Sequence, residues 1–265
     1  SWKSLAGGQV GYSELLEPGP ALIPDTTYYV DVRTKRRDDG VSTTYTRHAV
    51  VTNVSKPILG RLDISPSSRS SAIRWERNSN PLDTMYEVKV YDPSEPMPLV
   101  IVRTTHTIIG GLTPAKAYEF TVTAVGRGIT PSRESSETVQ KTTLPEAPLV
   151  EKIVKPIVGG DKQQIEVEWS KGANHSISAY ETRIYPVGSL TLPNYGSSVS
   201  PAVFSGLDPN REYIVQVRCQ NAVGDYSVGA TTQTYTLPAV PGAPQATTIL
   251  TNFQLGISFE SGTQN

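Results

Sequence analysis

The chain has 265 residues, a length that allows one large domain or two to three small ones. Its 24 Lys plus Arg and 25 Asp plus Glu give a net charge of −1, which excludes a general electrostatic attraction to nucleic acid or to an anionic membrane. One cysteine, Cys219, excludes a disulfide within the chain, and we expect no metal site and no cofactor. The longest apolar run, Leu99–Val102, is too short to span a bilayer, so no membrane contact is predicted for this segment.

An internal repeat with a period of about 93 residues organises the chain. A leucine, a proline two residues later and a tyrosine six residues after the leucine occur three times, as Leu22, Pro24 and Tyr28, as Leu112, Pro114 and Tyr118, and as Leu207, Pro209 and Tyr213. Two other landmarks keep the same phase, since Trp75 and Tyr86 return 94 residues later as Trp169 and Tyr180. Three landmarks in phase indicate tandem structural modules.

The residues around each landmark alternate between apolar and polar with a period of two. They are rich in Tyr, Val, Ile and Thr, which is typical of half-buried β-strands. Turn signals such as Gly110 with Gly111, and Gly224 with Asp225, separate them, and no amphipathic helical stripe is found. The sequence therefore predicts an all-β chain of antiparallel two-sheet sandwiches.

In this pattern the chain resembles the fibronectin type III family. That family has a core tryptophan on its second strand, and a leucine, often a proline, and a tyrosine that introduce the sixth strand. The resemblance implies that each such tyrosine forms a tyrosine corner, in which the hydroxyl bonds to backbone a few residues upstream. The predicted structural core comprises Trp75, Trp169, Tyr28, Tyr118, Tyr213, Leu22, Leu112 and Leu207.

The fold class expected from this resemblance is a tandem of seven-stranded immunoglobulin-like sandwiches in an extended rod, with about 30 Å added by each module. The predicted modules are a partial first repeat at 1–52, complete repeats at 53–144 and 145–237, and the start of another at 238–265. The chain is expected to be a window on a longer array. Proline-containing joints, such as Pro145 with Pro148, predict stiff connections.

Nothing in the chain predicts catalysis. Cys219 continues the inward alternation of its strand, so we expect a buried and unreactive thiol. The histidines that could act as a base lie in different repeats, and Asp38 with Asp39 are interpreted as solvated loop charge. We expect no catalytic residue and no enzyme activity in this segment.

A basic cluster is the candidate for binding sulfated glycans. It consists of Arg33, Lys35, Arg36 and Arg37. Heparin-like chains favour clusters of this kind. The alternative is an ordinary solvated face, because Asp38 and Asp39 follow directly and cancel part of the local field.

Two sequons predict N-glycosylation sites, at Asn53 with Ser55 and at Asn174 with Ser176. The first lies at a module joint, and the second lies in the loop between the second and third strands of its repeat. Chance alone yields about this number of sequons in such a chain, so they do not by themselves assign a compartment.

The resemblance implies a non-catalytic, extracellular spacer or adhesion segment of a cell-surface receptor ectodomain or matrix glycoprotein. Its loops and sheet faces would bind protein partners at the cell surface or in the matrix. Two alternatives stay open: a cytoplasmic scaffold like the arrays of giant muscle proteins, and spacer modules of a larger enzyme. A further hypothesis is end-to-end self-association through unpaired sheet edges at the two incomplete repeats.

Overall fold

The structure is a computed structural model of the chain. It describes residues 21–33, 44, 46–60, 63–92, 94, 97, 99–128, 130–154, 163–243, 245–251 and 254–258. Within these residues nineteen β-strands form and no α-helix does, so the all-β prediction is confirmed.

The strands are numbered in chain order. The first repeat contains β1 (Thr27–Val32) and β2 (Thr46–Val51). The second contains β3 (Ile64–Pro66), β4 (Ser70–Arg74), β5 (Met85–Tyr91), β6 (Val100–Val102), β7 (His106–Gly110), β8 (Ala117–Val125), β9 (Arg133–Ser135) and β10 (Val139–Thr142). The third contains β11 (Leu149–Val154), β12 (Ile165–Ser170), β13 (Ala179–Pro186), β14 (Gly196–Ser198), β15 (Ala202–Phe204), β16 (Glu212–Gln220) and β17 (Ala230–Tyr235). The last pair is β18 (Gln245–Thr251) and β19 (Gln254–Ser258).

Strands β1 and β2 pair antiparallel, with Thr27 opposite Val51 and Val32 opposite Thr46. The sequence predicted that Leu22 and one face of β1 are buried in a core. In the structure Leu22 is 63% exposed and Val30, on β1, is 43% exposed. The prediction of Leu22 as a core residue is therefore wrong for the described residues. Burial of that face requires a second sheet, and among the described residues β1 and β2 pair only with each other.

The second repeat contains two sheets. One has the order β3-β4-β7, and the other has the order β10-β8-β5-β6, with β9 also paired to β8. Every second residue of the long strands is buried, as the period of two predicts. The tryptophan that directly follows β4 lies edge-on to a tyrosine of β5, since the rings of Trp75 and Tyr86 are 5.5 Å apart with an interplanar angle of 66°. Such a contact adds to the burial of both rings.

The third repeat has the same pair of sheets, with the orders β11-β12-β15 and β14-β13-β16-β17. Its core is formed by the inward residues of β12 and β16, namely Ile165, Val167, Trp169, Tyr213, Val215 and Val217. Leu207, Tyr180 and Ile184 pack against this cluster. The two sheets therefore enclose one apolar core, which is the arrangement of a β-sandwich.

After the third repeat, β18 and β19 form an antiparallel hairpin, with Gln245 opposite Ser258. By density of contacts the chain divides into two compact units. The first is Ser1–Asp63, Arg74–Thr107 and Phe120–Val139, and the second is Ile64–Ile73, Ile108–Glu119 and Gln140–Asn265. This division cuts through the second repeat, so the module boundaries at 53–144 and 145–237 stay a prediction.

The three repeated tyrosines all have hydroxyls that accept a hydrogen bond from a backbone N–H five residues upstream. The donors are Ile23 for Tyr28 at 2.8 Å, Thr113 for Tyr118 at 2.8 Å and Asp208 for Tyr213 at 2.9 Å. The residue three after each leucine has a positive φ, which is 47° at Asp25, 52° at Ala115 and 51° at Asn210. The turn and the strand that follows it are thus tied together in the same way in each repeat.

Replacing Tyr118 by phenylalanine is expected to lower the free energy of unfolding by about 1 kcal/mol, because the N–H of Thr113 loses its acceptor while the buried ring stays. Urea unfolding of the whole chain measures this loss. Tyr91→Phe is the matched control, since Tyr91 is 53% exposed at the end of β5. Equal stability of the two variants would contradict the role given to the Tyr118 hydroxyl.

Candidate interaction sites

A buried carboxylate joins the segment before β1 to the second repeat. Asp25 is 1% exposed, and its Oδ1 accepts a hydrogen bond from the backbone N–H of Arg127 at 2.7 Å. Its Oδ2 lies 3.3 Å from Nε of Arg127 and accepts a 3.3 Å bond from the hydroxyl of Thr84. Arg127 also pairs with Asp83. Burial of a charge is tolerable here because the carboxylate has both an ionic partner and hydrogen bonds.

A second joint is built around the backbone of Glu146, between β10 and β11. Asn174 is 2% exposed, and its Oδ1 accepts the Glu146 N–H at 2.8 Å while its Nδ2 donates to the Glu146 carbonyl at 3.0 Å. Nδ2 also donates to the carbonyl of Lys171 at 2.7 Å. The Cys219 thiol donates to the same Glu146 carbonyl at 3.2 Å. The joint is therefore held by side chains of the third repeat.

The carboxylate of Glu146 is held from the other side. Arg69, in the turn between β3 and β4, donates to its two oxygens at 2.6 and 2.7 Å. The hydrogen bond from Arg69 holds the pKa of Glu146 below its ordinary value. This fork of two parallel bonds fixes orientation as well as distance.

Two further bonds link the same segments. The backbone N–H of His175 donates to the carbonyl of Pro114 at 2.9 Å, and Nδ2 of Asn221 donates to the carbonyl of Thr143 at 3.2 Å. Both acceptors belong to the second repeat, and both donors belong to loops of the third. The connection between β10 and β11 is thus an ordered joint.

The same amide clamp occurs one repeat earlier. Asn80 is 94 residues before Asn174, and its Oδ1 accepts the N–H of Ser55 while its Nδ2 donates to the carbonyl of Ser55, both at 2.7 Å. Sequence analysis used the spacing of 94 for Trp75 and Trp169 but did not apply it to asparagine. That spacing would have identified Asn80 and Asn174 as a structural pair.

The two sequons differ in accessibility. Asn53 is exposed in the joint after β2. Asn174 is buried, and its Nδ2, the atom that would carry a glycan, donates to the carbonyls of Glu146 and Lys171. The expectation of a glycan at Asn174 is therefore in conflict with the folded structure, whereas Asn53 stays a prediction.

The basic cluster is described only in part. Arg33 directly follows β1, whereas Lys35, Arg36 and Arg37 lie outside the described residues. Sulfated-glycan binding by this cluster therefore stays a prediction.

The side chains considered for catalysis lie on different elements of the fold. Cys219 is buried and free, and burial raises the pKa of its thiol above the ordinary value. His48 lies in β2, His106 begins β7 and His175 lies in the loop after β12. In the described part of the chain no three His, Cys, Asp or Glu side chains are grouped so that they could hold a metal ion. The described residues also include no helix that is long and apolar enough to cross a membrane.

The outward face of the third repeat carries a cluster that sequence analysis missed. Glu181 and Arg183 of β13 lie opposite Arg218 and Gln216 of β16, and they alternate with inward residues such as the buried Thr182. Tyr195, just before β14, and Tyr226, in the hairpin after β16, lie over these side chains. We call Glu181, Arg183, Tyr195, Arg218 and Tyr226 the aromatic–arginine face.

Arg218 is fixed from several directions within this face. Its Nε and Nη2 donate to Oε2 of Glu181 at 2.9 and 2.6 Å, and its guanidinium carbon is 4.0 Å from the ring centroids of both Tyr195 and Tyr226. The hydroxyl of Tyr226 donates to Oε1 of Glu181 at 2.9 Å. The bond from Arg218 lowers the pKa of Glu181, and the bond to Glu181 raises the pKa of Tyr226. Cation–π contact and ion pair thus hold the rings in one arrangement.

Gly229 allows Tyr195 to lie across the sheet. A Cβ at Gly229 would be 2.8 Å from the Tyr195 hydroxyl, too close for any real side chain. The same hydroxyl donates to Oε1 of Gln216 at 3.2 Å. The ring of Tyr195 therefore reaches from the edge of β13 across β16.

The chain is similar to a known domain family in its second and third repeats. The profile of the fibronectin type III domain matches residues 56–139 and 157–235, which together are more than half of the chain. Among solved structures, the chain is similar to a two fibronectin type-III domain segment from chicken tenascin, with 20% sequence identity and a TM-score of 0.43. That similarity covers 68% of this chain and 99% of the tenascin segment. No curated protein sequence matches significantly. The matched segment 157–235 contains β12 to β17 and the aromatic–arginine face.

Proposed function

The chain belongs to the fibronectin type III family as a tandem of β-sandwich domains, and from that premise we propose that it is a non-catalytic spacer in the extracellular part of a cell-surface receptor or matrix protein. Domains of this family typically mediate protein–protein interaction. The role proposed is to hold binding surfaces at fixed separations and to present loops and sheet faces to protein partners.

The observation that carries the proposal is the ordered joint at Glu146. A flexible spacer leaves its backbone to water and behaves as a random coil. Here the Glu146 N–H and carbonyl are both bonded to Asn174, and its carboxylate is bonded to Arg69. Coupling of this kind supports a role in which the spacing and direction of neighbouring domains matter.

The extracellular setting is supported by the sequon at Asn53, whose side chain is exposed. Glycosylation requires an accessible amide nitrogen in a surface segment of a secreted protein. The lone buried Cys219 gives no support to either compartment, because the family needs no disulfide.

Glycan mapping and surface labelling test this setting. In cells that make the protein naturally, the chain is expected to react with a membrane-impermeant amine reagent before permeabilisation and to lose mass at Asn53 on treatment with an N-glycosidase. Ser55→Ala is expected to abolish the mass loss. Ser176→Ala, which removes the other sequon without touching the Asn174 amide, is expected to leave the mass loss unchanged.

Labelling that appears only after permeabilisation, together with an unmodified Asn53, would contradict the extracellular setting. That result would favour the intracellular scaffold, for which the same ordered joints would serve.

A further inference from the structure

We propose that the aromatic–arginine face is a docking surface for an extended protein segment that carries a carboxylate next to an apolar side chain. The proposal rests on the proposed role in presenting protein-binding surfaces, and it does not depend on the compartment. Tyrosine and arginine are the residues that dominate binding energy at protein interfaces, and here they lie on one face of a rigid sheet.

The two arginines of the face differ in how many of their N–H donors are already bonded within the chain. Arg218 is neutralised by Glu181 and covered by two tyrosine rings. Arg183 uses its Nε to donate to Oε1 of Gln216 at 2.7 Å, and its guanidinium carbon is 4.3 Å from the ring centroid of Tyr195. Among the described residues no carboxylate pairs with Arg183, so its two terminal nitrogens are available to a ligand.

The geometry of Arg183 selects the chemistry of that ligand. Its planar guanidinium is held by an amide oxygen at Nε and by the Tyr195 ring, so the two terminal nitrogens point in a fixed direction. A carboxylate accepts two parallel bonds from such a fork. Because the side chain is already ordered, binding costs less conformational entropy than it would for a free surface arginine.

Apolar side chains border the face at one end. Val187 continues β13, since its N–H donates to the Glu212 carbonyl at 3.0 Å, and the loop from there to Tyr195 presents Leu190 and Leu192. Leu190 is 101% exposed and Leu192 is 52% exposed. The loop that leads to Tyr195 therefore exposes two leucines, and exposed apolar side chains near a polar face are typical of interaction sites.

The charge of the aromatic–arginine face indicates that its partner is an acidic protein segment. The charges of Arg218 and Glu181 cancel, so the uncompensated charge of the face is the positive charge of Arg183. A carboxylate at Arg183 and an apolar side chain at Leu190 and Leu192 together match both parts of the surface.

A selection with random 12-residue peptides displayed on phage tests the proposal, with the whole 265-residue chain as bait. The enriched peptides are expected to contain Asp or Glu together with Leu, Ile, Val or Phe, since the carboxylate would bind Arg183 and the apolar side chain would contact the loop before Tyr195. A synthetic peptide from the selection is expected to bind Arg183→Gln at least about tenfold more weakly than the unchanged chain.

Three further variants sharpen the measurement. Leu190→Ser is expected to weaken the peptide about threefold or more, because a fully exposed leucine is lost without disturbing the core. Gly229→Ala, whose Cβ would displace the hydroxyl end of Tyr195, is also expected to weaken binding of the peptide. Arg211→Gln is the matched control, because Arg211 is an exposed arginine paired with Asp208 outside the face, and it is expected to bind the peptide as the unchanged chain does.

Enrichment without carboxylates, equal binding to Arg183→Gln, or no enrichment at all would each overturn the proposal. Circular dichroism of each variant verifies its fold. If the peptides fail while the native protein is labelled on intact cells, the aromatic–arginine face is excluded as a docking surface and the extracellular spacer stands.

Discussion

Replacing Trp169 by alanine is expected to lower the free energy of unfolding of the third repeat by about 3 to 5 kcal/mol. Trp169 is 4% exposed and belongs to the core cluster with Val167 and Val215. Its ring also meets Tyr180 edge-on, with centroids 5.9 Å apart and an interplanar angle of 63°. Alanine removes these contacts and leaves a cavity that the surrounding strands cannot fill completely. Urea unfolding followed by far-ultraviolet circular dichroism measures the loss, because Trp169 is the only tryptophan of the third repeat and its fluorescence is lost in the variant.

The matched variants locate the effect. Trp169→Phe keeps most of the volume and is expected to cost clearly less than Trp169→Ala, because the cavity is smaller. Trp75→Ala makes the equivalent change 94 residues earlier. Hydrogen exchange of the whole chain is expected to show lost protection in β12 and β16 for Trp169→Ala, and in β4 and β8 for Trp75→Ala. Equal loss in both repeats for either variant would contradict independent sandwiches.

Replacing Asn174 by alanine is expected to destabilise the joint by about 2 to 3 kcal/mol. The change leaves the N–H of Glu146 without its acceptor and removes one of the two donors to the Glu146 carbonyl. It also removes the donor to the carbonyl of Lys171. Exchange of the Glu146 amide hydrogen is the direct readout, and it is expected to become faster in the variant than in the unchanged chain.

Two controls separate the amide clamp from other effects. Ser176→Ala changes an exposed neighbour and is expected to leave stability within about 0.5 kcal/mol. Asn80→Ala is expected to accelerate exchange of the Ser55 amide in the same way, because Asn80 holds Ser55 as Asn174 holds Glu146. Unchanged exchange at Glu146 in Asn174→Ala would remove the main support for an ordered joint and, with it, for the proposed spacer role.

The joints are proposed to fix the spacing of the domains, and the aromatic–arginine face is proposed to bind a partner. Side chains such as Asn174 and Arg69 hold the segment between the second and third repeats, while Arg183 and Leu190 lie on elements that take no part in that joint. A variant of the face is therefore expected to change binding without loosening the joint, since sites without shared partners act additively.

The strands, their tandem order and most of the core could be predicted from the amino-acid sequence. A period of two identifies a half-buried strand because successive side chains point to opposite faces, and a recurrence at 94 residues identifies equivalent strands without any knowledge of contacts. Trp75, Trp169, Tyr118 and Leu112 are buried on that basis. In the first repeat Leu22 is exposed and Tyr28 is half-buried, because a sequence pattern predicts which face a residue occupies and not whether a second sheet covers that face.

Which residues contact one another depends on the three-dimensional fold and could not be predicted from periodicity. Asn174 belongs to a sequon in the sequence. In the fold its side-chain nitrogen is buried and donates to the carbonyl of Glu146, 28 residues earlier in the chain. Arg218, Tyr195 and Tyr226 come from a strand, a loop and a hairpin, and their contact depends on the register of β13 against β16 and on the space left by Gly229. Periodicity gives the face of each residue, whereas register and loop path set its neighbours, and a shift of one residue would exchange every one of them.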